Sequence, residues 1–305
     1  MKSIRKALFL GSKEFGLEIF KSLCRSRDDV EWLSVCPDDS KDPRTHFKEF
    51  NEFTELNKIN LKLVEDISSL KEIIEKYQPD IIFVVGFYQI LPSSIIAKIP
   101  EGVWGIHNSL LPKYRGCSPL VWQLINGEEK IGSSLFRFSE GMDDGDILHQ
   151  VSFKNSSKIT IKSATYNLQE LWKKCIPHIW EDFIQEKIIP TKQDHTQATY
   201  CSKRNENDGL IDWSMDANYL DRFIRAQTKP YPMAFFFYGN KIVRVSKHDI
   251  DSRIISGTSG QVFESRNSHV TICCGAGTAI KIFELEVNGK NYPASKVLDS
   301  TKIRL

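Results

Sequence analysis

The stretch "DIIFVVGF" (residues 80–87) decides the fold, because it is an almost continuous apolar run of strand length. Such runs are typical of strands in parallel sheets, where helices cover both faces. Further short apolar runs alternate with amphipathic stretches along the first half of the chain; they lie at 6–11, 30–36, 61–65 and 102–107. This alternation predicts an α/β domain built on a Rossmann-like, mostly parallel sheet.

The second half of the sequence changes in character. Residues 133–140 and 146–154 predict a late antiparallel strand pair, and 161–186 predict one long amphipathic helix. A polar, irregular segment follows, and after it come short strand-like runs separated by glycine-containing turns. We therefore predict a catalytic domain over 1–188, a linker over 189–206 and a small OB-like β-barrel domain over 207–305.

Composition excludes several classes of protein. The 305 residues include 41 basic and 39 acidic side chains, so a formal net charge of +2 provides no strong field for nucleic acid or membranes. No apolar run approaches the ~18 residues that span a bilayer. The seven cysteines are scattered and form no C-x-x-C pair. We expect a cytoplasmic protein with reduced thiols, no metal and no membrane partner, with a homodimer left open.

One histidine stands out in "GIHNSLLPKYRG" (105–116), where His107 ends an apolar run and precedes a restrained polar loop. A single histidine is most often an unreactive, hydrogen-bonded side chain. This one falls at the carboxyl end of a predicted parallel strand, where ligand sites form in open α/β sheets. The acid-rich turn "GMDDGDI" (141–147) follows later. A histidine and an aspartate that the fold brings together make an acid–base pair.

Other candidate residues carry weaker signals. "GSKEFG" (11–16) lacks both the G-x-G-x-x-G spacing and a Walker lysine, so a tight strand-to-helix turn is favoured over a phosphate cradle. Gly11 and Ser12 are nevertheless kept as candidate substrate contacts. Arg225 ends a predicted helix before "KPYP" and is assigned equally to a domain junction or to a ligand.

The stretch "IHNSLLPKYRGCSPLVWQLINGEEKIGSSLFRFSEGMDDGDIL" (106–148) resembles the core signature of the folate-dependent formyltransferases. The family's elements H-x-S-L-L-P-x-Y-R-G, P-x-x-W, N-G-E and D-x-G-D-I occur in this order. "LFLGSKEFG" and "DIIFVVGFYQILP" are similar to the family's first strand and folate-binding loop, and "DGLIDWSMDANYLDRFIRAQTKPYPMAFF" to the start of its C-terminal barrel. The resemblance covers nearly the whole chain.

The resemblance implies transfer of a formyl group from N10-formyltetrahydrofolate, the co-substrate, to a primary amine. It assigns His107 as the base and Asp143 as its carboxylate partner. By position it implies folate contacts from Phe87, Gln89, Ile90, Leu91, Ser109, Leu110, Leu111, Pro112 and Asp143. Candidate contacts to the acceptor are Gly11, Ser12, Tyr114, Arg115, Gly116 and Arg225.

The sequence departs from the family at Gly105, where the resemblance implies an asparagine whose amide binds the formyl oxygen. Loss of one oxyanion donor typically costs about 10²–10³ in rate. The adjacent Asn108 is the candidate substitute, although on a regular strand it would face away from His107. The alternatives are that protonated His107 or a bound water molecule stabilises the oxyanion, or that the protein has lost catalysis.

The acceptor amine is the second question that the resemblance raises. Members that act on tRNA carry a basic insertion after the second strand, whereas this chain has "CPDDSKDPRTHFKEFNEF" (36–53) there. We therefore expect an amino sugar, attached to a nucleotide, as the acceptor. Methionyl-tRNA formyl transfer, hydrolysis of formyltetrahydrofolate, and folate or sugar binding without catalysis are the alternatives.

Overall fold

The computed structural model of the protein describes residues 2–305 and shows two compact units. The first unit contains the chain up to Pro119 together with Lys130–Lys154 and Thr165–Cys201. The second contains Leu120–Glu129, Asn155–Ala164 and Ser202–Leu305. Within residues 2–305, no helix combines the length and the apolar character that crossing a bilayer requires.

A seven-stranded sheet forms the centre of the first unit. The strands of this unit are β1 (Lys6–Leu10), β2 (Glu31–Pro37), β3 (Asn60–Val64), β4 (Ile81–Val84), β5 (Val103–His107), β6 (Arg115–Gly116), β7 (Lys130–Arg137), β8 (Ile147–Lys154) and β9 (Tyr200–Cys201). The sheet order is β3-β2-β1-β4-β5-β7-β8, while β6 and β9 pair separately. The first five strands run parallel, and β7 and β8 join them antiparallel.

Helices cover both faces of this sheet. They are α1 (Glu14–Ser26), α2 (Phe47–Leu56), α3 (Ile67–Tyr77), α4 (Ser93–Ile96) and α6 (Ile161–Ile184). The helix α5 (Pro119–Asn126) lies between β6 and β7 in the chain and, after Pro119, belongs to the second unit. Along β1, Ala7 and Phe9 enter a core cluster that includes residues of α1, α2 and α6. Leu8 and Leu10 enter the cluster on the other face, with residues of α3 and α4. Alternate side chains of an apolar strand are thus buried on opposite faces, as in a covered parallel sheet.

The second unit contains a six-stranded antiparallel sheet. Its elements are α7 (Ala217–Arg225), β10 (Phe235–Tyr238), β11 (Lys241–Asp251), β12 (Val262–Arg266), β13 (His269–Cys273), β14 (Ala279–Val287), β15 (Lys290–Pro293) and α8 (Ala294–Val297). Asp216 caps α7 by accepting bonds from the backbone N–H groups of Asn218 and Tyr219. The predicted fold class is confirmed, with a mostly parallel α/β sheet followed by an antiparallel β domain.

The segment predicted as an irregular linker contains ordered backbone pairing. Thr191 exchanges two backbone hydrogen bonds with Ile147, each 2.8 Å long. Further along, β9 pairs with β6 in parallel register. Residues 189–201 therefore belong to the first unit instead of crossing freely to the second. The polar composition of the segment predicted a connector, but its backbone groups find partners that are far away in sequence. The domain limits at 188 and 207 stay a prediction.

Candidate active site

The direction of the strand order reverses between β1 and β4. Connections after β1 and β4 lead to opposite sides of the sheet, and ligand sites of open α/β sheets form at such a reversal. Gly11 lies there against Val85, and a Cβ at Gly11 would stand 2.1 Å from the Val85 carbonyl oxygen. Gly11 therefore allows two backbone segments to approach closely. Ser12 is fully buried, and its hydroxyl donates to Asp39 Oδ2 at 2.6 Å. Substrate contact by Gly11 and Ser12 stays a prediction.

A network of charged groups holds the loop that follows β2. The ammonium group of Lys13 bonds to Asp39, and its nitrogen lies 2.9 Å from Asp42 Oδ2. Arg44 pairs with the same Asp42 carboxylate at 2.9 Å. Burial raises the pKa of the Asp39 carboxyl, but bonds from Lys13, Ser12 and Thr45 outweigh it and hold that pKa below its ordinary value. The cationic groups of Lys13, which is largely buried, and of Arg44, which is partly exposed, are thus both paired with carboxylates.

Replacement of Lys13 by methionine is expected to lower the free energy of unfolding by about 1–3 kcal/mol at neutral pH, because two largely buried carboxylates lose a charged donor. Bonds from Arg44 and Lys13 hold the pKa of Asp42 below its ordinary range. A carboxyl with a lowered folded-state pKa stabilises the fold above its unfolded pKa, and that contribution is lost as pH falls. The deficit of the variant should therefore shrink below about pH 4.

Urea denaturation of both proteins across this pH range measures the effect. Lys48→Met is the matched control, since Lys48 is 84% exposed and pairs with Glu52 on the surface of α2. It should change the free energy by less than about 0.5 kcal/mol. A deficit of Lys13→Met that stays constant with pH would contradict the electrostatic explanation.

His107 lies at the end of β5 and is in contact with the predicted partner. Its Nδ1 atom is 3.5 Å from Asp143 Oδ2, and its Nε2 atom is 2.7 Å from the backbone carbonyl oxygen of Tyr114. The imidazole is 9% exposed, and the Asp143 side chain is 24% exposed. The structure therefore brings together the histidine and the aspartate that the sequence placed in one acid–base pair.

The carbonyl of Tyr114 determines which imidazole nitrogen carries a proton. A carbonyl oxygen only accepts hydrogen bonds, so Nε2 of His107 must be the N–H donor. In the neutral ring the lone pair is then on Nδ1, which faces Asp143. A proton that arrives at Nδ1 converts the ring to an imidazolium beside a carboxylate. The arrangement suits Nδ1 for accepting a proton from a substrate amine that comes within hydrogen-bond reach of this atom.

Asp143 occupies an unusual turn. Its φ angle is +50°, in the left-handed region that aspartate tolerates better than most residues. The backbone N–H of Gly116 donates to Asp143 Oδ2 at 2.8 Å, and this bond orients the carboxylate. The side chain of Gln193 donates to the backbone oxygen of Asp143 at 2.8 Å. Sequence reasoning missed Gln193, because it lies in the segment that was predicted as a linker.

Asn108 is engaged on the other side of the sheet. Its Oδ1 atom lies 3.0 Å from the hydroxyl of Ser133, which also accepts a 3.0 Å bond from Trp172 of α6. Successive residues of a strand point to opposite faces, so this contact is on the face away from His107. The role of Asn108 as oxyanion donor stays a prediction, and it requires the NH₂ group of the carboxamide to reach the face of His107.

Gly105 is packed against an aromatic ring. A Cβ at this position would lie 2.3 Å from Cε1 of Phe138, and 3.2 Å from the carbonyl oxygen of Val84. Phe138 stacks on Phe136 with ring centroids 5.2 Å apart, and the ring of Phe136 lies nearly perpendicular to that of His107. In this chain the ring of Phe138 therefore fills the space that a side chain at residue 105 would need.

The predicted folate contacts lie on the two loops that follow β4 and β5. Phe87 and Leu91 pack on the apolar cluster beneath α3 and α4, whereas Gln89 and Ile90 are exposed. In the second loop Ser109 donates to the Lys113 carbonyl oxygen at 2.6 Å. The remaining members there are Leu110, Leu111 and Pro112, and the Leu111–Pro112 peptide bond is cis. Their contact with folate stays a prediction.

The predicted acceptor contacts have different surroundings. Tyr114 and Gly116 form part of the site through their backbone carbonyl and N–H groups. Arg115 is 2% exposed, and its guanidinium group bonds to Gln193, so it is directed into the protein. Arg225 belongs to the second unit and pairs there with Asp221 at 2.8 Å. Substrate contact by these four residues stays a prediction, and the structure gives both guanidinium groups internal partners.

Two family models match the chain. One, described as "Formyl transferase", matches residues 5–179, and one described as "Formyl transferase, C-terminal domain" matches residues 203–301. The first includes the His107–Asp143 pair. The chain belongs to the formyltransferase family. Three predictions are thereby confirmed: the family, an enzyme that transfers a formyl group, and N10-formyltetrahydrofolate as its co-substrate.

Three individual relatives illustrate what the chain is similar to. The chain is 28% identical to the methionyl-tRNA formyltransferase of Citrifermentans bemidjiense, over 98% of this chain and 94% of the relative. It is 39% identical to the bifunctional polymyxin resistance protein ArnA of Wigglesworthia glossinidia brevipalpis, over 72% of this chain and 34% of ArnA. The N-formyltransferase from Helicobacter canadensis, crystallised with folinic acid and dTDP-3-aminofucose, shares the fold. Its TM-score is 0.71 at 18% identity, over 95% of this chain and 100% of that one.

Proposed function

We propose that this protein is a cytoplasmic sugar N-formyltransferase. It transfers the formyl group of N10-formyltetrahydrofolate to the primary amine of an amino sugar that is linked to a nucleotide. The product is an N-formyl sugar for a surface polysaccharide or lipid. The pairing of the cationic groups around the loop after β2 is the observation that supports this acceptor most directly.

The chemistry at the His107–Asp143 pair is the same for any amine acceptor. The amine nitrogen attacks the formyl carbon, and the bond between that carbon and N10 breaks. Nδ1 of His107 takes one proton from the nitrogen, and a proton is delivered to N10 as tetrahydrofolate leaves. Asp143 stabilises the imidazolium that forms between these two events. The N–H of Gly116 and the carbonyl of Tyr114 keep both side chains oriented.

The loop after β2 argues against a nucleic-acid acceptor. Residues 38–46 carry three aspartates against one lysine and one arginine. Lys13 and Arg44 are paired with Asp39 and Asp42, and this pairing lowers the positive potential that they present to solvent. Contact with a phosphate backbone needs several cationic groups, because each one that binds a phosphate adds counterion release to the affinity. A small nucleotide-linked sugar does not require such a surface.

The second candidate is methionyl-tRNA formyl transfer, which is favoured by the similarity to a methionyl-tRNA formyltransferase over nearly the full chain. The similarity to ArnA is higher in identity but covers a shorter part of this chain. The solved N-formyltransferase from Helicobacter canadensis, with its bound dTDP-3-aminofucose, provides a precedent for a sugar acceptor on the same fold.

Incubation of the purified protein with the formyl donor and a panel of nucleotide-linked amino sugars tests the proposal. Release of tetrahydrofolate, followed optically, measures turnover, and mass spectrometry identifies an N-formyl sugar. We expect turnover with at least one sugar and rates that depend only weakly on salt, because the few phosphates of a nucleotide release far fewer counterions than a phosphate backbone. A parallel reaction contains charged initiator tRNA.

The two candidates give opposite results in this assay. Turnover only with the charged tRNA, decreasing steeply as salt is added, would replace the sugar acceptor with tRNA. Release of formate without any amine would identify a hydrolase. Folate binding without release of tetrahydrofolate in any reaction would identify a non-catalytic relative. Gly105 is the sequence feature that would correspond to this loss of catalysis.

A further inference from the structure

Gln193 makes hydrogen bonds with all parts of its carboxamide group. Its Nε2 atom donates to the backbone oxygen of Asp143 at 2.8 Å and to that of Gly145 at 2.7 Å. Its Oε1 atom accepts from Nε and Nη2 of Arg115, at 3.1 and 2.6 Å. The side chain is almost completely buried, with 5% exposure. Both donors and both acceptor positions of one glutamine are thus used inside the protein.

The surroundings hold Gln193 in place from two sides. Thr191, two residues earlier, forms its double backbone bond with Ile147 at the start of β8. Later in the same segment, Thr199 accepts the backbone N–H of Arg115 at 2.8 Å, and its hydroxyl accepts that of Tyr114 at 2.8 Å. The segment that carries Gln193 therefore connects the turn of Asp143 to the loop that supplies the carbonyl of Tyr114.

We propose that Gln193 is a positioning residue for the reaction, oriented by Arg115, which holds the turn of Asp143 so that the carboxylate faces His107. Asp143 has a left-handed backbone, a conformation that a residue other than glycine keeps only where its surroundings enforce it. Nε2 of Gln193 donates to the backbone oxygens of Asp143 and Gly145, and these two bonds fix the turn. Arg115 fixes the amide so that its NH₂ group, and not its oxygen, faces the turn.

The geometry explains why these bonds affect the reaction. The His107–Asp143 distance is 3.5 Å, so a modest displacement of the turn removes the contact. A misplacement of ~1 Å at a catalytic group costs up to about 10² in rate. Gln193 touches neither reacting group with its side chain and acts only through the backbone of Asp143. The inference rests on formyl transfer by this pair and does not depend on the nature of the acceptor.

Gln193→Glu is the decisive variant, because glutamate keeps the shape and one acceptor oxygen but places a second oxygen against two carbonyl groups. Gln193→Leu removes all the bonds. The matched controls are Gln197→Glu and Gln197→Leu, which alter an exposed glutamine of the same segment. The first measurement is amide hydrogen exchange at Gly116, whose N–H donates to Asp143. The second is kcat and KM with whichever amine proves to be the acceptor.

We expect both Gln193 variants to accelerate exchange at Gly116 by about 10-fold or more, with unchanged exchange in the core strands β1 and β4. We expect kcat to fall by about 10–10², while KM for the formyl donor changes by less than about 2-fold. In an Asp143→Asn background the same substitutions should lower kcat by less than about 3-fold, because the carboxylate that they position is already absent.

Three results would overturn the proposal. The first is that the Gln193 variants show the same exchange and kcat as the Gln197 controls. The second is that the Gln193 substitutions lower kcat equally with and without the Asp143 carboxylate. The third is that they accelerate exchange throughout the first unit. If no amine is turned over, the proposed function fails, and exchange at Gly116 still decides the role of Gln193.

Discussion

Asp143→Asn is expected to lower kcat by about 10²–10⁴, the usual contribution of a positioned acid–base group. Asparagine has nearly the same shape as aspartate and tolerates the left-handed φ of +50°, so the turn is expected to persist. Its oxygen can still accept the N–H of Gly116. The variant therefore removes the negative charge beside Nδ1 of His107 while the backbone stays in place.

The matched control is Asp144→Asn, one residue further along the same turn. Asp144 accepts a hydrogen bond from Ser139 and does not contact His107 in the contacts that the structure describes for residues 2–305. It should retain kcat within about 2-fold. Steady-state release of tetrahydrofolate measures both variants. Equal losses in the two would show that the turn, and not the Asp143 charge, determines the rate.

His107→Ala provides the second half of this test. If Nδ1 of His107 and the Asp143 carboxylate act as one unit, the double variant should be about as slow as the slower single variant. Additive losses would instead mean that the two side chains act in separate steps. Circular dichroism and the melting temperature of each variant confirm that the fold is retained.

Gly105→Asn is expected to destabilise the protein and not to raise its rate, although it restores the residue that the family normally has. A Cβ at 2.3 Å from the Phe138 ring requires that ring to move, and Phe138 stacks on the ring beside His107. Overpacking of this kind costs roughly 1–3 kcal/mol. Thermal unfolding measures the loss of stability, and tetrahydrofolate release measures the rate.

A companion substitution separates the steric effect from the chemical one. Phe138→Ala removes the ring, so the Asn side chain of Gly105→Asn can enter the vacated space in the double variant. We expect the double variant to be more stable than the sum of the single changes predicts, by about 1 kcal/mol or more. We also expect its kcat to exceed that of Phe138→Ala by about 10-fold or more, since one oxyanion donor contributes about 10²–10³.

Two outcomes would contradict this account of Gly105. A single Gly105→Asn variant with unchanged stability and a higher rate would show that the ring yields without cost. A double variant no faster than Phe138→Ala would show that the oxyanion is already stabilised by another group. Asn108→Ala then tests whether Asn108 is that other group. In the structure the amide oxygen of Asn108 accepts a hydrogen bond from Ser133.

Much of the fold was predictable because its signals are local. The apolar run of β4 and the alternation of strands with amphipathic stretches reflect burial on both faces of a parallel sheet, which each segment shows by itself. The capped helix α7 and the antiparallel pair of β7 and β8 were also visible in short stretches. The polar composition of residues 189–206 did not indicate the backbone pairing of this segment, because its partners β6 and Ile147 are distant in sequence.

The sequence by itself determined the fold class and the family and singled out His107 and Asp143 as candidates, since these inferences depend on periodicity and on motif order. Only the tertiary structure decided which nitrogen of His107 faces Asp143, that Gln193 grips the turn, and that Phe138 occupies the space beside Gly105. Each of these depends on a contact of a few ångströms between residues far apart in the chain, and such contacts leave no periodic pattern in either segment.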